Sequence, residues 1–201
     1  AAAFGLASAG AQEPAERVLD AFEEIAPWTA APSDDVRASL AQTQGETGRA
    51  LRFSFDFGGG AGYAAIRRAL PLELPENYEI SFQIRGEAPA NNLEFKLTDE
   101  SGENVWWSVR RDYAFPREWT RIAIRKRQIE FAWGPTQDRR LRRAAHFEFV
   151  VSAGAGGALL MVTDVGLAGA AAGAAGIAAH RELGGGQRGA AVHQRPSRGA
   201  D

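Results

Sequence analysis

The run 78-YEISFQIRGEAPANNLEFKLTDESGENVWWSVR-110 decides the fold class. In it Tyr78, Ile80, Phe82 and Ile84 alternate with Glu79, Ser81, Gln83 and Arg85. Leu93, Phe95 and Leu97 then alternate with Asn92, Glu94, Lys96 and Thr98. A period of two, apolar on one side and polar on the other, marks a strand with one buried face. The same pattern precedes this run in Leu51–Phe57, where Leu51, Phe53, Phe55 and Phe57 face one way and Arg52, Ser54 and Asp56 the other. Further strand candidates are Val18–Glu23, Val36–Gln42, Tyr63–Leu70, Asn104–Arg110, Trp119–Arg125, Gln128–Trp133, His146–Ser152 and Leu159–Leu167. Turn signals separate them: Gly58-Gly59-Gly60, Pro75-Glu76-Asn77, Asp99-Glu100-Ser101-Gly102 and Gly154-Ala155-Gly156-Gly157. A short helix is expected only near Asp138–Ala145. About ten strands without crossover helices predict an all-β fold, an antiparallel β-sandwich or jelly roll.

Composition narrows the function. The 201 residues carry a net charge of −2 and no cysteine. A disulfide framework and thiolate metal sites are excluded. The near-neutral charge argues against nucleic acid as a partner. No apolar run reaches the roughly 18 residues of a membrane-spanning helix. The bases are 21 Arg and two Lys, a bias expected of GC-rich bacterial coding. Residues 1–12, AAAFGLASAGAQ, read as a signal-peptide remnant with small-residue cleavage patterns. They place the protein as secreted, periplasmic or on the cell surface. Residues 13–168 form the expected domain. Residues 169–201 contain 10 Ala, 8 Gly and no aromatic residue, and read as a disordered linker or tail toward a further domain.

Catalytic constellations are sparse. The domain has a single histidine, His146, read as partly buried at a strand end. The two Lys do not follow Gly, so a P-loop is absent. A secreted glycoside hydrolase or polysaccharide lyase would need paired carboxylates across a cleft. The spacing E-x-D-x-x-E occurs nowhere, and Glu94 and Glu130 stand alone on their strands. The Arg clusters Arg121/Arg125/Lys126/Arg127 and Arg139/Arg140/Arg142/Arg143 point to an anionic ligand, against which stands a domain charge of −4.

Five tryptophans occur: Trp28, Trp106, Trp107, Trp119 and Trp133. Alternation in Asn104–Arg110 groups Val105, Trp107 and Val109 as core and leaves Trp106 outward with Ser108 and Arg110. An outward indole among polar residues suits the C–H face of a pyranose. Strands 78–85, 92–98 and 104–110 are consecutive and expected to be neighbours. The expected binding face is then Gln83 and Arg85, Glu94 and Lys96, and Trp106, Ser108 and Arg110. Trp133 shares the parity of Ile129 and Phe131 and is expected in the core.

The stretch 91-NNLEFKLTDESGENVWWSVRRDYAFPREWTRIAIRKRQIEFAWGP-135 resembles a bacterial carbohydrate-binding module of the galactose-binding-like jelly-roll group, related to family 11 modules. The opening 19-LDAFEEIAPW-28 and the closing 162-VTDVGL-167 are similar to the first and last strands of that group. The resemblance implies a non-catalytic domain that binds a polysaccharide or oligosaccharide on a concave sheet face, beside a covalently linked domain such as an enzyme. A β-glucan or related plant-wall glycan suits the mixed polar face. It also implies a structural calcium, for which Asp20, Glu23 and Asp164 are the candidate ligands. Two other readings stand beside it: a secreted glycoside hydrolase or polysaccharide lyase, and a β-sandwich interaction or assembly domain, since the intermediate-associated protein 30 group has a similar sandwich.

Overall fold

The computed structural model describes residues 16–152 and 157–169. The expected leader 1–12, part of the Gly154–Gly157 turn, and the tail beyond Gly169 lie outside the described residues. Twelve strands follow one another: β1 (Glu16–Asp20), β2 (Trp28–Ala30), β3 (Arg37–Gln44), β4 (Arg49–Asp56), β5 (Tyr63–Glu73), β6 (Tyr78–Glu87), β7 (Asn91–Thr98), β8 (Val105–Tyr113), β9 (Thr120–Arg125), β10 (Glu130–Trp133), β11 (Arg143–Ser152) and β12 (Gly157–Gly169). They form two six-stranded antiparallel sheets. The first runs β3-β4-β12-β6-β9, with β1 paired to the last part of β12. The second runs β10-β8-β7-β11-β5-β2. The fold is therefore the all-β antiparallel sandwich that the alternation predicts.

The inner faces meet in an aromatic core. Phe82 of the first sheet packs edge-on against Phe149 of the second, ring centroids 4.8 Å apart. Phe95 stacks on Phe82 at 6.0 Å, and Phe149 also lies 5.9 Å from Trp28. Phe22, Phe53, Phe82, Phe147 and Phe149 are fully buried. Offset and edge-to-face contacts add to the burial of each ring and fix how the sheets seat on one another.

The strand Trp28–Ala30 has no signal in the sequence, because three residues after Pro27 carry no alternation, and two expectations are corrected. No helix forms over Asp138–Ala145. There the Asp138 carboxylate accepts the backbone N–H of Arg140 at 3.1 Å and the guanidinium groups of Arg140 and Arg142. Such a local turn competes with helical hydrogen bonding, and β11 takes over at Arg143. The only helical turn among the described residues is the 3-10 turn Lys126–Gln128. Finally, β6 is not a neighbour of β7. The short link Ala88-Pro89-Ala90 lacks the Gly or Asn that a tight hairpin turn requires, and the chain crosses from one sheet to the other there. No helix among the described residues is long and apolar enough to cross a membrane.

Phe149 touches both sheets at their centre. Phe149→Ala should lower the unfolding free energy by about 3–5 kcal/mol, read from the urea midpoint at unchanged slope.

Candidate functional site

The β7–β8 hairpin sets the site. Asp99 closes it: one carboxylate oxygen accepts the Ser101 N–H at 3.1 Å and the Ser101 hydroxyl at 2.6 Å, and the other accepts the Asn104 amide at 2.6 Å. Partial burial would raise the Asp99 pKa, but these hydrogen bonds from Ser101 and Asn104 outweigh it and hold the carboxyl below its ordinary value. Gly102 turns the chain at φ 73°, a conformation that favours glycine. The closed hairpin opposes Thr98 to Val105, Leu97 to Trp106 and Lys96 to Trp107. Leu97 faces the core, so Trp106 must too.

This reverses the expected tryptophan assignment. Trp106 is 4% exposed, packs against Phe131 at 5.4 Å and donates its indole N–H to the Arg139 carbonyl at 2.7 Å. Trp107 is half-buried on the outer face. Trp133 is 48% exposed, and its ring meets Trp107 edge-on at 5.5 Å. It leaves the parity of Phe131 because β10 bulges: Phe131 opposes Trp106, yet Trp133 opposes Val105. A bulge turns every later side chain to the other face. Gly134 makes the exit at φ 137°, where a Cβ would collide with Asn104. The sequence signals for this are the turn Asp99–Gly102, which fixes hairpin register, and the Gly after Trp133.

The remaining candidates divide. Glu94 and Lys96 stand on the outer face of the second sheet, as expected, with Lys96 Nζ 2.9 Å from the Glu94 carboxylate. Ser108 and Arg110 have the inward parity of Trp106. They lie beyond the end of β10, where β8 is an open edge, and line a groove of about 560 Å³ with Trp107, Gln128 and Glu130. Gln83 and Arg85 belong to β6 and so to the outer face of the other sheet, where Arg85 lies over the Trp119 ring at 5.4 Å. The structure does not bring them to Glu94 and Lys96.

On the outer face of the second sheet, strand register aligns a row that sequence reasoning missed. Glu130, Trp107, Lys96, Glu148, Arg67 and Thr29 oppose one another in succession across six strands. Arg67 forms an ion pair with Glu148, and Glu148 and Glu94 are only 7% and 8% exposed. The Lys96 ammonium sits 5.8 Å from the Trp107 ring and 5.3 Å from that of Trp133, within cation–π range. Ser152 donates to Glu94 at 2.7 Å, and Thr98 meets His146 at 3.3 Å. Beside the row lies a depression of about 350 Å³ lined by Tyr63, Arg67, Lys96, Thr98, Glu148 and Trp133, among others. Tyr63 at 47% and Trp133 at 48% are two of the three exposed large hydrophobic side chains among the described residues. Here aromatic faces and held charges occur together, so the face offers both stacking surface and hydrogen-bonding groups.

The candidate calcium ligands do not converge. The Asp20 carboxylate accepts hydrogen bonds from the Phe22 N–H and the Trp28 indole, each at 2.8 Å, and pairs with Arg68. Oxygens turned toward three N–H donors are not presented to a cation, which takes six to eight oxygens. Asp164 stands at a bulge of β12 beside Gln83, and Glu23 follows β1 at the surface. Among the described residues no three acidic or histidine side chains are grouped to hold a metal. Asp20 instead ties β1 of the first sheet to β2 and β5 of the second.

Among solved structures, the fold superposes on the family 11 carbohydrate-binding module of Clostridium thermocellum in complex with a β-1,3-1,4-mixed-linked tetrasaccharide. The TM-score is 0.65 at 21% identity, over 77% of this chain and 96% of that one. The family 11 module of a cellulosomal cellulase of Clostridium thermocellum matches at TM-score 0.63 and 20% identity, over 79% and 97%. This chain has the family 11 carbohydrate-binding-module fold. The same fold appears within an exo-β-agarase, at TM-score 0.55 and 12% identity, over 76% of this chain and 25% of that one. No protein-family model matches the sequence, and no curated protein matches it.

Two outcomes check these assignments. Trp106→Ala should lower stability by about 3–5 kcal/mol through a core cavity, whereas Trp107→Ala should change it by about 1 kcal/mol or less. Asp20→Ala strands the largely buried Arg68 and should cost about 3–5 kcal/mol, while a calcium chelator leaves the melting temperature of the native protein unchanged.

Proposed function

We propose that this protein is a non-catalytic carbohydrate-binding module whose ligand lies on the outer face of the second sheet. The observation that carries the reading is the row Trp107–Lys96–Glu148–Arg67, flanked by the exposed rings of Trp133 and Tyr63. An extended glycan is amphipathic: its ring C–H faces stack on indoles, and its rim of hydroxyls needs donors and acceptors. The row supplies carboxylate acceptors and guanidinium and ammonium donors at fixed spacing. Hydrogen bonds from charged groups are stronger than neutral ones. Their ion pairs hold these side chains in place, so ordering them on binding costs little.

The ligand class is a β-glucan or related plant-wall polysaccharide. Support comes from the mixed charge of the face and from the related fold of the Clostridium thermocellum module bound to a mixed-linked β-glucan tetrasaccharide. Both buried carboxylates of the face are engaged by cations, Glu94 by Lys96 and Glu148 by Arg67. That favours binding without hydrolysis. The occurrence of the fold as a quarter of an agarase supports a role in bringing an attached enzyme to its polysaccharide. The signal-like run at residues 1–12 supports action outside the cytoplasm, as a secreted, periplasmic or cell-surface protein.

Calorimetric titration with a mixed-linked β-glucan oligosaccharide tests the reading. The expected affinity is micromolar to millimolar, about 4–8 kcal/mol. Trp107→Ala and Trp133→Ala should each weaken binding by about tenfold or more while the melting temperature moves by no more than about 4 °C, and no reducing ends should be released. Binding that survives the double variant would move the platform elsewhere, and measured hydrolysis would make the protein an enzyme.

A further inference from the structure

A second site lies where the chain turns from one sheet to the other. β9 is an edge of the first sheet and β10 an edge of the second, and the 3-10 turn Lys126–Gln128 links them, closed by the Ile129 N–H on the Lys126 carbonyl at 3.0 Å. The loop before β11 folds over this corner. It is held by the Trp106 indole bonded to the Arg139 carbonyl and by Leu141, which is buried. The two Arg-rich runs of the sequence, separate along the chain, meet here around a cavity of about 340 Å³. Its cationic lining is Lys126, Arg127, Arg139 and Arg140, and its apolar lining includes Tyr78, Trp106, Ile129 and Leu141.

Three of these cations, Lys126, Arg127 and Arg139, differ from Arg140 and from the arginines of β9. Arg121 and Arg125 are paired with Glu79, and Arg140 with Asp138. Among the described residues, neither Arg127 nor Arg139 has a carboxylate partner, and Lys126 donates to the backbone carbonyl of Glu76. The Arg139 guanidinium is positioned over the Phe131 ring at 5.4 Å. No acidic side chain lines the cavity. Three basic residues that no carboxylate neutralises, Lys126, Arg127 and Arg139, thus line one concavity in a protein whose net charge is negative.

We infer that this corner is an acidic-sugar site, distinct from the outer face of the second sheet, that takes a sugar ring bearing a carboxylate or a sulfate ester. The cations recognise the oxyanion, and guanidinium groups suit its planar or trigonal array of oxygens. The apolar wall covers the C–H side of the ring, which a bare inorganic anion would leave unused. A neutral sugar would leave the three cations without a counter-charge. Carboxylate and sulfate present the same oxyanion chemistry, and pH separates them. A uronate loses its charge as pH falls below about 4, whereas a sulfate ester stays charged.

The test is titration of the full chain with a uronic-acid disaccharide, a sulfated disaccharide, a neutral disaccharide and inorganic sulfate. One or both acidic disaccharides should bind, weakening as salt rises. Arg127→Ala and Arg139→Ala should each reduce that binding by about tenfold, and the double variant should abolish it. Both side chains are exposed, so the melting temperature should hold, and mixed-linked β-glucan binding should be unaffected. Conversely, Trp107→Ala with Trp133→Ala should lose β-glucan and keep the acidic sugar. Equal binding of the neutral disaccharide overturns the inference. So does inorganic sulfate competing as well as the sulfated sugar, which would mean an adventitious ion only, or loss of acidic-sugar binding in the tryptophan variants alone.

Discussion

Asp99 closes the β7–β8 hairpin by accepting hydrogen bonds from Ser101 and Asn104, and that closure opposes Leu97 to Trp106 and Lys96 to Trp107. Strand geometry then leaves no freedom: one residue of slip would exchange the two faces. Trp106 enters the core beside Phe131, and Trp107 is placed outside next to Lys96. Asn104 extends the constraint, since its side-chain oxygen also accepts the Thr136 N–H at 2.9 Å and fixes the segment that leaves β10. The bulge after Phe131 then exposes Trp133, and the inward Trp106 indole holds the cover over the corner cavity through the Arg139 carbonyl.

The outer face of the second sheet is expensive to build. Glu94 and Glu148 are largely withdrawn from water, and burying a carboxylate without a partner costs several kcal/mol. Each is matched by a cation from its own or an adjacent strand, and Glu94 also by the Ser152 hydroxyl. A core alone does not require charges on this face, and Val, Thr or Tyr would pair strands as well. Their placement in register, between aromatic rings, is what gives the face its chemical character. The opposite end of the chain shows the contrast. Asp20 is just as buried, but its oxygens are turned inward to Trp28, Phe22 and Arg68, and it serves to join the sheets.

The two basic regions of the molecule also behave differently. Along β9, Arg121 pairs with Glu16 and Glu79, and Arg125 with Glu79. At the corner that follows, the chain reverses direction and no carboxylate lines the cavity. Partly exposed charge pairs contribute little to stability. The informative feature is thus the cations left over at a concave site.

Alternation by itself determined the sandwich. Leu51–Phe57, Tyr78–Ile84 and Leu93–Leu97 have one answer to which side is buried, because a side-chain period of two admits no other. Glu94 and Lys96 were legible as outward for the same reason. Where both parities are apolar, as in Val105-Trp106-Trp107, local pattern cannot choose, and the choice came from a partner strand through the hairpin turn. Trp133 was unreadable because one bulged residue in β10 cancels the parity of Ile129 and Phe131. The separation of Gln83 and Arg85 from Glu94 and Lys96, the alignment of Lys96 with Glu148 and Arg67, and the meeting of Arg127 with Arg139 all depend on which strands are neighbours. Sequence order does not carry that information, because long-range pairing is decided by how the whole aromatic core closes.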